Sequence, residues 1–292
     1  MLWSNTLMKP EILILIGIFA VFALAEALRT GLLKKPGQRS KDVAVELIGS
    51  VVLLALTQPL VLLSAGLLMA TMFPGLQNSL AGTALWMQVG LLLIFDDMAQ
   101  YWWHRFSHTV PWLYKLHRPH HDAPYMSVRI VYRNNIFYYA LMPSLWFSGA
   151  LIYLGLGPVY AVYLVVKLTV IYGAHSDVRW DEPLYKKPWL SPLMWVVERT
   201  ISTPATHAAH HGRHLSDGLT HYKGNFGNLL FFWDVLFGTA KITRRYPPAF
   251  GVENLPEASV GEQLLWPLVP STPQPHAQRP PQPRHSAVDA DA

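Results

Sequence analysis

Five apolar stretches constrain this chain more than any other feature. They cover residues 12–28, 47–72, 84–103, 136–154 and 159–174. An α-helix rises about 1.5 Å per residue, so roughly 20 residues cross a hydrocarbon core about 30 Å thick. The first three stretches are long enough to span. The last two are slightly short, and only Gly155-Leu156-Gly157-Pro158, a turn signal, separates them, so they read as a tilted or re-entrant hairpin. Pro59 inside the second stretch predicts a kink. Composition agrees with a membrane chain: 51% of the 292 residues are hydrophobic and 14% charged, against roughly 25% charged in soluble domains.

Charge then sets sidedness. Lys and Arg outnumber Asp and Glu, 23 to 18. Arg29, Lys34, Lys35, Arg39 and Lys41 follow the first stretch. Arg105, Lys115, Arg118, Arg129 and Arg133 follow the third, and Arg179, Lys186, Lys187 and Arg199 follow the fifth. The opposite side holds Lys9 alone. Basic loops face the cytoplasm, so the expected topology has an outside N-terminus, five crossings or equivalents, and all large loops inside. These charges flank apolar stretches and need no nucleic acid partner. Ala23-Leu24-Ala25 resembles a signal-peptide cleavage site, but the basic run after Arg29 would block export, so the first stretch is read as retained. The expected fold class is all-α: a polytopic integral membrane helical bundle with a cytosolic helical histidine-rich cap. Residues 1–83 are expected to form N-terminal transmembrane helices. Residues 84–267 form one domain of further helices plus the cap, and residues 268–292 a disordered Pro-rich tail in which His276 and His285 are inert.

Eleven of the 13 histidines lie between His104 and His221. His104 and His108 are spaced H-x3-H. His117, His120 and His121 are spaced H-x2-H-H, and so are His207, His210 and His211. On a helix, positions i, i+3 and i+4 fall within roughly 100° of arc, so three imidazoles converge on one side. Pro119 places the middle box in a first helical turn or a loop. One such motif would be an ordinary buried or solvated histidine face. Three on one predicted side point to metal. Eight imidazoles exceed the four to six ligands of one ion, which implies two ions. Spacing does not choose among Zn, Cu, Fe and Ni. The chain has no cysteines, which removes thiolate sites, disulfides and cysteine nucleophiles. His214 and His221 follow the third box as weaker ligand candidates, and Asn225 reads as a turn residue. Asp97, Asp177 and Asp234, and less so Asp96, are candidates to orient the rings from behind. Tyr101, Trp102, Trp103, Trp112 and Trp233 read as an interfacial aromatic belt.

The run from Asp97 through Tyr101-Trp102-Trp103-His104-Arg105-Phe106-Ser107-His108 resembles the first box of the fatty acid hydroxylase and sterol desaturase superfamily. Leu116-His117-Arg118-Pro119-His120-His121 resembles the second box, and Thr203-Pro204-Ala205-Thr206-His207-Ala208-Ala209-His210-His211 the third. Asn225-Phe226-Gly227 and residues 233–239 resemble its closing signature. The resemblance covers about residues 84–245, so residues 84–267 are expected to be a fatty acid hydroxylase-like domain. It implies a membrane di-iron oxygenase that hydroxylates an unactivated C–H of a lipid, fatty acyl, sterol or related. It implies two iron ions, with zinc as a substitute on purification, O2 as co-substrate, and an external electron donor such as a reductase with a ferredoxin or cytochrome b5-like carrier. The catalytic residues carried over are His104, His108, His117, His120, His121, His207, His210 and His211. His175 joins them as a ninth ligand, whereas Arg179 stands where some members have another histidine. Desaturation by the same superfamily is the alternative. A metal transporter would line its spans with ionisable groups, and Lys167 is the one clear case here. A zinc hydrolase would mix carboxylates into its ligand set.

Overall fold

The computed structural model describes residues 10–271. Lys9, His276, His285 and most of the Pro-rich tail therefore lie outside the described residues. Among those described, the chain is all-helical, with no strand beyond an isolated bridge between Gly212 and Phe250. Three helical stretches are long and apolar enough to cross a membrane: Pro10–Arg29, Ser40–Met72 and Pro143–His175.

Helix α1 is Pro10–Arg29. Helix α2, Ser40–Val52, starts where Asp42 accepts the Arg39 backbone N–H at 2.7 Å. It runs through a π turn, Leu53–Thr57, into α3, Gln58–Met72. Pro59 explains that turn. Its ring would strike the carbonyl four residues back and it has no N–H to give, so the ladder widens and the Gln58 N–H reaches Leu53 O instead. The expected kink is thus a bulge within a continuous helix. Helices α4, Leu85–Leu92, and α5, Ala99–Thr109, are likewise joined by a π turn, Leu93–Met98, which carries Asp96 and Asp97. Those aspartates and the polar α5 set this helix apart from the three apolar stretches.

After α5 the chain turns at Val110 into α6, Pro111–His121. Residues 136–154 are not the single helix expected. Ile136–Ala140 forms the short helix α7, and Pro143 starts α8, Pro143–Leu151, because a proline favours a first helical turn and disrupts an interior. Beyond α8, Gly155 takes φ +109°, a left-handed value open to glycine, before α9, Gly157–His175. Ser148 on α8 and Tyr163 and Lys167 on α9 all reach Asp96, so the two arms fold back beside each other as the hairpin reading expected. Gly149 lets α8 lie close against α3: a β-carbon there would sit 2.6 Å from Ala65 Cβ.

The remaining helices are short: α10 Glu182–Tyr185, α11 Ser191–Thr200, α12 Pro204–His211, α13 Phe232–Leu236 and α14 Val260–Leu265. Thr203 and Thr206 cap α12 reciprocally, each hydroxyl accepting the other's backbone N–H. Two of the residues expected in an interfacial aromatic belt are buried instead. Trp112 is exposed, but Tyr101 and Trp103 are buried: Tyr101 bonds Thr239 Oγ1 at 2.9 Å, and Trp103 packs with Leu113, Leu116 and Tyr138.

Lys167 lies in an apolar helix, yet it is paired with Asp96, which also accepts Tyr163 OH at 2.6 Å and Ser148 Oγ at 3.1 Å. Removing one member of such a buried pair strands the other charge, at a cost of about 3–5 kcal/mol. Lys167→Met should therefore lower the thermal midpoint in detergent. Asp96→Asn combined with Lys167→Met should recover most of the loss. Equal midpoints for the single and double variants would show that the pair carries no such load.

Candidate metal centre

Nine histidines converge where α5, α6, α9 and α12 meet, and they form two groups. His104 and His108 from α5, His117 and His121 from α6, and His210 from α12 make the first. His120 from α6, His175 from the end of α9, and His207 and His211 from α12 make the second. Within each group one ring nitrogen per residue lies within 4.8 Å of all the others. His121 and His211 stack at 4.4 Å between ring centroids, so the groups are neighbours.

Helical geometry distributes the rings. In H-x2-H-H the first and last residues stand about 40° apart on the helix, and the middle histidine is about 100° from the last. On α6, His117 and His121 therefore serve the first group and His120 the second. On α12 the roles exchange: His207 and His211 serve the second group and His210 the first. The middle box closes α6, with Pro119 in the last turn.

The hydrogen bonds fix where the ring protons sit. Nδ1 of His104 donates to Phe226 O at 2.7 Å, and Nδ1 of His210 to Gly224 O at 2.7 Å. Nδ1 of His120 donates to Ile130 O at 3.0 Å, and Nδ1 of His175 to Ile171 O at 2.8 Å. His117 Nδ1 meets Asn134 Oδ1 at 2.9 Å. A carbonyl oxygen has no proton to give, so each of these Nδ1 atoms carries hydrogen and each neutral ring presents a bare Nε2. Yet Nε2 of His104 and His210 stand 3.0 Å apart, and Nε2 of His120 and His175 stand 3.2 Å apart. Two lone pairs facing each other at that distance repel unless a cation lies between them. Two nitrogens about 2.1 Å from one ion and about 90° apart are about 3.0 Å from each other. Protonating the rings is opposed by burial, which pushes His117, His120, His121, His207, His210 and His211 well below the usual imidazole range, with neighbouring histidines adding to it. His108 Nε2 is buried among the first group with no hydrogen-bond partner. The residues therefore fit a metal ion in each group, held by imidazole alone.

The carboxylates act differently from the sequence expectation. Among the described residues, none bonds a ring nitrogen of these nine histidines. Carbonyl oxygens suffice to fix the tautomers, and they add no further charge that burial would have to desolvate. Asp234 works one step back: its carboxylate accepts the N–H groups of Phe226 at 2.8 Å and Gly227 at 2.6 Å. Burial raises its pKa above the carboxylate norm, opposed by those bonds. Asn225, at φ +57°, holds the same loop through Thr206 O at 2.8 Å and the Lys241 N–H at 2.7 Å. The two carbonyls flanking it, of Gly224 and Phe226, both face the first group. Asp97 accepts the Leu230 N–H at 3.1 Å and Trp233 Nε1 at 2.8 Å, and Asp177 pairs with Lys35 at 3.1 Å. His214 instead bonds Glu253 at 2.8 Å, and His221 bonds Thr239 O at 3.2 Å; neither joins a group. Arg179 stacks on Tyr246 at 4.3 Å. Asn134 was not singled out in the sequence, and no spacing marks it.

A cavity of about 110 Å³ reaches the first group, lined in part by His108, His121, Tyr114, Tyr222 and Glu253. It has room for a few molecules the size of water, each about 30 Å³ in the liquid.

Neutral rings in the fold and ordinary ones in the unfolded chain make stability depend on pH. The unfolded histidines, near pKa 6.5, take up protons that the folded ones refuse, so stability falls as pH drops through that value. The metal-free protein should lose up to about 1.4 kcal/mol per pH unit for each such ring. Thermal midpoints measured from pH 7.5 to 5.5 should fall steeply. A flat profile would contradict buried neutral imidazoles.

A family model described as fatty acid hydroxylase matches residues 89–239, a segment that contains all nine histidines. An alkylglycerol monooxygenase of Danio rerio is 29% identical over 144 residues, covering 49% of this chain and 28% of the relative. The alkylglycerol monooxygenase of Homo sapiens is 28% identical over the same length and shares. The chain thus spans less than a third of the length of these curated relatives. No solved structure matches it.

Proposed function

The chain belongs to the fatty acid hydroxylase family, and from that membership we propose that it is a membrane-bound di-iron oxygenase that hydroxylates an unactivated C–H of a lipid. The observation that carries the reading is the pair of facing Nε2 atoms in each histidine group. One iron is assigned to His104, His108, His117, His121 and His210, and the other to His120, His175, His207 and His211. Iron bound there would supply the redox chemistry with O2 that acid–base side chains lack. The chain's own contribution is to hold nine neutral rings with their lone pairs inward and to shield them from bulk water. Overall, R–H, O2, two electrons and two protons give R–OH and water, so an external two-electron donor is required. A reductase with a ferredoxin or cytochrome b5-like carrier fits that need.

The relatives' name, alkylglycerol monooxygenase, favours oxygen insertion over desaturation, and it makes a glycerol ether lipid the first substrate to test. The cavity beside His108 has room for O2 or water next to the first group. The basic loops on the histidine side support a cytoplasmic centre.

Iron-loaded membranes given an alkylglycerol, a reductant and 18O2 should yield product bearing one labelled oxygen. Loss of two hydrogens without label would mean desaturation instead. His120→Ala and His210→Ala should each abolish turnover and remove about one iron per chain; full turnover in either would refute its ligand role. For sidedness, a cysteine replacing the exposed Ser79 should react with an impermeant reagent from outside, and one replacing the exposed Lys186 should not. The reverse pattern would overturn the topology.

A further inference from the structure

Glu26 is the one carboxylate within the apolar run of α1 after its first turn, and it is fully buried. Its side chain collects four hydrogen bonds from two distant segments. It accepts Ser127 Oγ at 2.7 Å and the Val128 N–H at 2.9 Å. It also accepts Ser176 Oγ at 3.0 Å and the Asp177 N–H at 3.1 Å. Lys35 Nζ, 3.2 Å away, balances its charge and also bonds Asp177 at 3.1 Å.

Both segments belong to the second histidine group. Ser127 opens the short turn Val128–Ile130, whose Ile130 carbonyl fixes His120 Nδ1 at 3.0 Å. Ser176 follows His175 directly, and its N–H closes the last turn of α9 on Tyr172 O at 2.9 Å. One carboxylate thus ties the turn that orients His120 to the helix end that carries His175, and those two rings face each other at 3.2 Å. None of these bonds touches the loop that orients His104 and His210, which Asp234 and Asn225 hold instead. Glu26 also lies outside residues 89–239, the segment that shows the family.

We propose that Glu26 is a positioning residue for the second metal site alone, so that the first apolar helix governs the loading of one ion of the pair. This rests on the reading of the two groups as metal sites. Without the carboxylate, two hydroxyls and two backbone N–H groups lose their acceptor, and the His120–His175 spacing is no longer pinned. Loss of a group that orients a metal ligand from behind lowers metal affinity by about 10–100-fold.

The test is anaerobic titration of iron(II) into the full-length, metal-free protein in detergent. Wild type should bind two equivalents. Glu26→Gln, which keeps one acceptor oxygen, and Glu26→Ala should weaken one equivalent by about 10–100-fold and leave the other unchanged. Identity of the weakened site follows from double variants. Glu26→Ala in a His120→Ala background should change nothing further, whereas in a His210→Ala background it should leave almost no tight site. Two tight equivalents in both single variants, or further loss in the His120→Ala background, would overturn the proposal. Backbone amide exchange in the metal-free protein decides the positioning claim separately. Glu26→Gln should speed exchange at Val128 and Asp177 and not at Phe226 and Gly227. Unchanged exchange at all four would overturn it, even if wild type bound no iron and the di-metal reading itself failed.

Discussion

Two nitrogen lone pairs aimed at each other across about 3 Å are the constraint on which the rest of this structure depends. Between His104 and His210, and again between His120 and His175, both rings have given their only proton to a carbonyl on the far side. Nothing is left to share. In a dry interior that repulsion is not softened by water, and burial opposes the protonation that would relieve it. A positive ion in each group, as proposed, would turn the repulsion into coordination. The helices deliver the rings, and the back-side carbonyls hold the Nδ1 protons so that these rings turn a bare Nε2 inward.

Those carbonyls come from loops, a short turn and the last turns of a helix, and each stretch has its own anchor. The first group relies on the turn around Asn225, held at positive φ by its own side chain and by Asp234. The second relies on the turn Val128–Ile130 and on the end of α9, both tied to Glu26. Buried acids therefore act through peptide groups, and the shell touching the rings stays uncharged. Asp96 and Lys167 extend the same economy into the apolar helices, where a neutral pair with hydroxyl donors locks the α8–α9 hairpin against α4 and α5.

The sequence made much of this legible. Periodicity of two H-x2-H-H boxes is enough to see convergence, because helix geometry is local. The all-helical class and the hairpin at Gly155 were readable for the same reason. The split of each box between two groups was not, since it depends on how α6 and α12 face each other. Asp97, Asp177 and Asp234 read from sequence as groups that orient the rings directly, but their contacts are with backbone, Trp233 and Lys35 instead. Residues 136–154 misled because apolar content hides the break that Pro143 imposes. Glu26 carried a signal, an acid deep in an apolar helix well past its first turn, whose meaning needed the tertiary partners Ser127 and Ser176.

X-ray absorption at the iron edge, with iron counted per chain on the same sample, reads the two all-imidazole sites themselves. Two irons per chain are expected, each with a nitrogen shell at about 2.1 Å and the strong outer-shell scattering of imidazole rings. Folded protein that holds no iron after anaerobic loading, or iron in an oxygen shell lacking the imidazole pattern, would contradict the two-iron reading.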